Sequence, residues 1–150
     1  MRSCFIAIML FASLSTVVFA QNAGQPAVQV ELNHENPLHL RVTLRSGAAT
    51  TATFYRADLP WGYRYSMVFV VARPNGDPVD LELPVSDPGP SKVSVRPGEV
   101  LTGDVDLRYV IGDLNLLKKS DLLLFWAYKS PDELHIPHWS GGLVLIPQQK

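Results

Sequence analysis

In the run Leu38-His-Leu-Arg-Val-Thr-Leu44 apolar residues take every second position. Leu38, Leu40, Val42 and Leu44 fall on one face of an extended chain, and His39, Arg41 and Thr43 on the other. This is the pattern of a half-buried strand, and it recurs along the chain between clusters of Pro, Gly, Asn and Asp. Val28, Val30 and Leu32 share a face in the same way. Ser66 to Arg73 is more continuously apolar and so reads as a central strand. It stops at Pro74-Asn75-Gly76-Asp77, where Asn-Gly is expected to supply the positive φ angles of a tight hairpin. Its partner is then the stretch from Val79 to Leu83, with Val79, Leu81 and Leu83 on one side. Further strands are expected at Lys92 to Val95, Val100 to Leu107, Leu122 to Tyr128 and Leu143 to Ile146. Short strands with turn signals roughly every 8–12 residues are the pattern of an all-β sandwich. Arg45 to Tyr65 shows no clear period, and Asp87-Pro88-Gly89-Pro90 reads as a rigid loop. Only Asp113 to Lys119 looks helical, with Asp113 placed to cap its start and Lys118 and Lys119 to suit its end.

The most patterned stretch is Ser94 to Tyr109, SVRPGEVLTGDVDLRY. Pro97 presets φ for the first central position of a turn and Gly98 accepts a positive φ at the second, which predicts a type II turn over Arg96 to Glu99. Leu101, Val105 and Leu107 then alternate with Asp104 and Asp106 on the opposite face. Gly103 takes an inward position without a side chain, the mark of a bulge or of the close approach of another strand. Every unusual residue here has a reason in the scaffold.

Four motifs in order carry a resemblance: L-x-N…PL-x-L-x-V-x-L, then DLPWG, then VFVVARPNGDPV, then V-x-PGE-x-L-x-G-x-V-D-L-x-Y. Over Val28 to Tyr109 the chain resembles the small immunoglobulin-like β-sandwich of bacterial exported proteins. It is similar to the sandwich that precedes the catalytic domain in aspzincin (deuterolysin-like) metallopeptidases, with Phe125-Trp126-Ala127-Tyr128 in the place of that module's Gly-x-Tyr-x-Val strand. The resemblance implies a single immunoglobulin-like antiparallel β-sandwich of about seven to nine strands with at most one short helix. The chain has no His-Glu-x-x-His, so peptidase activity is not carried over. What the resemblance does suggest is a module that binds or restrains a secreted peptidase, as a propeptide does.

The first twenty residues, MRSCFIAIMLFASLSTVVFA, combine one basic residue, Arg2, with an apolar run and small residues Val18 and Ala20 at the −3 and −1 positions of a cleavage site. That reads as a secretory signal peptide over 1–20, leaving one domain over 21–150 in the periplasm or outside the cell. The apolar run is short and broken by Ser and Thr, and no transmembrane segment is expected elsewhere. The single cysteine, Cys4, lies in the leader, so the mature chain is expected to lack disulfides, a thiol nucleophile and thiolate metal sites. Loss of the leader takes Arg2 from the 13 basic residues and none of the 14 acidic ones, leaving 12 against 14. Such a balance argues against a nucleic-acid partner, whose phosphates call for a basic face. No Asn-x-Ser/Thr acceptor is present, in keeping with a bacterial style of export.

The candidates for chemistry are thin. His135 and His138 flank Ile136-Pro137 and are a plausible start to a copper or zinc site, but without a convincing third ligand they read better as solvated loop histidines. Asp104, Asp106 and Asp113, with Glu99, offer hard oxygens for calcium, and Asp104 or Asp106 a carboxylate for glycan hydrolysis in a small enzyme. The simpler reading is the solvated side of an alternating strand. Ser140 lies near His138 and two glycines, yet the G-x-S-x-G elbow is absent and Gly141-Gly142 reads as the turn into the last strand. Neither a cofactor nor a metal is therefore assigned, and the chain is expected not to be an enzyme. The recognition candidate is YRADLPWGYRYS, which crowds Tyr55, Trp61, Tyr63 and Tyr65 with Arg56 and Arg64 around a Pro-x-Gly bend; the simpler reading is that these aromatics plug one end of the sandwich with the arginines lying over them. Trp, Tyr and Arg dominate binding hot spots. The expectation is an exported non-catalytic interaction module whose end loops, at Trp61, Tyr63 and Arg64, bind a protein partner, provided that these side chains are exposed.

Overall fold

The alternation in His39–Arg45 produces strand β2, with Leu40, Val42 and Leu44 buried and the residues between them facing out. The computed structural model describes residues 27–62, 66–81 and 89–149; the expected signal peptide lies outside them. Among the described residues there are nine strands: β1 (Val28–Leu32), β2, β3 (Ala52–Tyr55), β4 (Met67–Ala72), β5 (Pro78–Val79), β6 (Lys92–Val95), β7 (Val100–Asp106), β8 (Leu122–Lys129) and β9 (Trp139–Ile146). They form three antiparallel sheets, ordered β1-β2-β7, β3-β6 and β5-β4-β8-β9. The result is an all-β sandwich. Its helical content is one turn, α1 (Leu116–Lys119), with 3-10 turns at Arg56–Asp58, Leu107–Tyr109 and Asp132–Leu134.

Pairing register shows which residues share a face. Leu40 lies opposite Val105 and Leu44 opposite both Val28 and Leu101, all turned inward. Across the core stand Met67, Phe69 and Val71 of β4, Leu122, Leu124, Trp126 and Tyr128 of β8, and Val144 and Ile146 of β9. These residues belong to one hydrophobic cluster, so both large sheets close on a single core. Beyond the strands, the cluster takes in Leu107, Ile111, Leu117 and Leu134.

Several expectations change. The stretch without a clear period contains β3, where Ala52 and Phe54 are buried and pair with Val95 and Val93. Four residues flanked by loops are too short a window for the period to stand out. The last strand begins at Trp139, not Leu143, so Gly141 and Gly142 are strand residues and not a turn. A β-carbon on Gly142 would lie about 3.0 Å from the Trp126 ring opposite it, which explains a glycine inside a ladder. The hairpin after β4 has positive φ at Gly76 alone, not at Asn75. Gly76 N–H donates to the Arg73 carbonyl and Arg73 N–H to that of Asp77, so the loop is longer than a two-residue turn. The partner strand is brief, and Leu83 lies outside the described residues. Asp113 accepts from Asn115 N–H and so caps the turn before α1 rather than α1 itself. The turn at Arg96–Glu99 forms as expected, with φ +68° at Gly98 and Glu99 N–H donating to the Arg96 carbonyl.

Candidate functional site

The loop that follows β3 is tied to the end of the sandwich from two directions. Ser66 Oγ donates to the Ala57 carbonyl at 2.6 Å, and the buried Tyr128 hydroxyl donates to the Asp58 carbonyl at 2.8 Å. Burial pushes the Tyr128 phenol above its ordinary range, so it stays a donor. Gly62 N–H then closes the Leu59-Pro60-Trp61-Gly62 turn on the Leu59 carbonyl. A side chain at Gly62 would overlap the Arg56 carbonyl.

This turn sets Trp61 against β7. The indole is half-buried, packs on the core and occupies the space that a β-carbon on Gly103 would need. The close approach expected at Gly103 is therefore made by a tryptophan ring rather than a strand. The remaining exposed part of Trp61 lines an open cleft of about 430 Å³ with Arg56, Leu59, Lys92, Val93 and Leu101 among its walls. Lys92 Nζ stands 5.1 Å from the Tyr55 ring centroid. Tyr63 and Arg64, the other two expected binding residues, lie outside the described residues.

The two large sheets differ sharply on their outer faces. On β1-β2-β7 the outward rows are polar: Glu31, Arg41 and Asp104 stand side by side, with Gln29, Thr43 and Thr102 in the next row. Arg41 lies 3.7 Å from Asp104 and 3.9 Å from Glu35. On β5-β4-β8-β9 the outward rows are Val68–Ala127–Gly141, Val70–Phe125–Leu143 and Ala72–Leu123–Leu145, ending in Lys129–Trp139. Only Lys129 carries a charge. Val68, Val70, Phe125, Trp139, Leu143 and Leu145 are 51%, 54%, 44%, 56%, 54% and 55% exposed. Scattered exposed apolar residues are ordinary, but a contiguous sheet face of them is not. Sequence reasoning missed this face, although the signal was present. MVFVVA and LLLFWAY are apolar at odd and even positions alike, the pattern of strands covered on both sides.

The residues considered for chemistry are held in scaffold bonds. Asp106 accepts from Arg108 N–H at 2.9 Å and pairs with its guanidinium at 2.6 Å, capping the 3-10 turn that ends β7. Those hydrogen bonds hold the Asp106 carboxyl below the usual carboxylate range, opposite to the direction a general acid needs. Asp104 faces Arg41 and Asn33. His135 adopts the left-handed conformation, φ +50°, at the end of the 3-10 turn Asp132–Leu134, and His138 Nδ1 lies 3.3 Å from Asp132. The described residues contain no group of three or more His, Cys, Asp or Glu side chains placed to hold a metal ion. Buried Ser130 fastens this loop by donating to the Pro137 carbonyl, while Ser140 sits half-buried opposite Tyr128. A cleft of about 480 Å³ opens at Ser130, lined by Asp58, Lys129, Asp132 and His138 among others. No helix among the described residues is long and apolar enough to cross a membrane.

No protein-family model matches the chain, and no curated protein matches it as a relative. The geometry therefore carries the functional argument alone.

Proposed function

We propose that the protein is an exported, non-catalytic interaction module that binds a protein partner through the outer face of β4, β8 and β9. The uncovered apolar face carries this reading. A chain whose first sheet presents a charged and hydroxyl-bearing exterior has the means to solvate a sheet, and its second sheet does not use it. Leaving such a face in water forgoes roughly 25 cal/mol per Å² of apolar surface that a partner would cover. The strand order supports the immunoglobulin-like arrangement: β1, β2 and β7 stand where the first, second and fifth strands of that sandwich pair, and β4, β8 and β9 where the third, sixth and seventh do. The Trp61 turn is a weaker candidate, since part of its tryptophan ring is committed to the space over Gly103.

Capture from the native envelope or culture fluid tests the proposal, with Phe125→Asp as the comparison. Phe125 lies at the middle of the face and is exposed, so the variant is expected to fold and to lose a partner that the wild type retains. A partner held equally by both proteins removes the face from the reading.

A further inference from the structure

We infer that the occupant of this face is a second copy of the same chain, joined face to face about a two-fold axis. The inference rests on the reading of β4, β8 and β9 as an interaction surface and names its partner. Three properties of the face support it. The first is relief. The row Val70–Phe125–Leu143 is a ridge of large side chains, and the adjoining row on the same face, Val68–Ala127–Gly141, is shallow at its second and third positions. A two-fold axis lying between the rows, across the strands, sets the ridge of each copy over the shallow row of the other. Phe125 then covers the partner copy's Ala127 and Gly141 while receiving the same contact in return. An isologous interface requires this kind of self-complementarity, and flat antiparallel faces meet it in aligned sheet packing.

Charge is the second property. A partner of different sequence is commonly selected by complementary charges, but this face offers none beyond Lys129 at its end. Two copies arranged as above put their Lys129 side chains at opposite ends of the contact, so no like charges oppose one another. The third property is area. Six apolar side chains about half exposed amount to on the order of 400 Å² on one copy, taking the two aromatic ones at roughly 150–250 Å² whole and the four aliphatic ones at roughly 60–120 Å². Ala72, Leu123, Ala127 and the rim bring this toward the roughly 800 Å² per copy of a standard interface. Apolar composition at the centre with a polar rim is also the anatomy of homodimers.

Sedimentation velocity on the exported protein, over a micromolar concentration series, measures the association directly. The expected result is a dimer, with Phe125→Asp raising its dissociation constant at least about thirtyfold, as truncating a central anchor does. Thr43→Asp, on the polar face of the other sheet, should leave the dimer unchanged. The register has its own test: Phe125→Lys chains and Ala127→Asp chains, each monomeric alone, should associate when mixed. Circular dichroism of each variant separates loss of dimer from loss of fold. A monomeric wild type throughout the series, or a dimer that persists in Phe125→Asp, overturns the inference. If the wild type is a monomer but its capture of another protein, or its binding to phosphatidylglycerol vesicles, is abolished by Phe125→Asp, self-association fails while the face remains an interaction surface.

Discussion

Gly103 and Trp61 show how one residue's identity depends on another far away in the chain. Gly103 stands opposite the fully buried Val42, in an inward position where the neighbours Leu101 and Val105 carry side chains. The missing side chain is replaced by the Trp61 indole. Gly103→Ala is therefore expected to displace the ring and lower stability by about 1–3 kcal/mol, the usual range for overpacking, measured by urea denaturation. A neutral result would mean that the indole leaves its place freely. Asp106 leads to a prediction about acid. Its folded-state carboxyl titrates below its unfolded value, so its bonds to Arg108 contribute stability that is present above the unfolded value, about 3.9, and is lost as pH falls through the folded one. Between pH 6 and pH 2 the wild type should lose more stability than Asp106→Asn, read as melting temperature against pH. Parallel curves for the two proteins would show that the pair adds nothing to folding. Asp106 was legible as a strand carboxylate from its alternation with Val105 and Leu107, but not as the cap of the next turn, because capping depends on where β7 stops.

Among the elements, β8 does the most. It is a central strand of its sheet, its inward side chains run from Leu122 to Tyr128, and its outward ones form the middle column of the apolar face. At one end Tyr128 also holds the loop that carries Trp61, through the bond to the Asp58 carbonyl. Tyr128→Phe keeps the ring and removes that donor, leaving a carbonyl to find water or go without. The expected loss is about 1 kcal/mol, with the change spreading to Trp61 fluorescence because the loop loses one of its ties to the sandwich. An unchanged melting curve and unchanged emission would show that the bonds at Ser66 and Arg56 hold the loop without it. Elements with at least five alternating residues, such as β2 and β7, were readable in advance. β3 was not, since a four-residue strand inside an aperiodic stretch owes its existence to the partner it pairs with, and β5 was placed at Val79 as the partner of β4 but not its brevity. The extension of β9 through Gly141 and Gly142 was hidden for a related reason. Two glycines have turn-forming freedom, and only the Trp126 ring across the ladder shows why they sit in a strand.

At the scale of the whole molecule, the notable feature is the contrast between two exteriors. The β1-β2-β7 sheet carries its own solvation, with a row of alternating charge across its three strands. The β5-β4-β8-β9 sheet is apolar on both sides, and the dimer inferred above would turn its outer side into a second core. An unpaired sheet face of this kind is also exposed to unwanted association, so the position of its cover has consequences for solubility as well as function. From the sequence alone came the all-β class, the main strands and the turn at Arg96–Glu99, because side-chain alternation and the φ preferences of Pro and Gly are local properties. Only the tertiary structure could decide that Trp61 fills the space over Gly103. It also took the fold to show that the even positions of β4 and the odd positions of β8 form one surface. Those relations depend on strand register across tens of residues, and the energy that sets the register comes from burying the opposite face of the same strands.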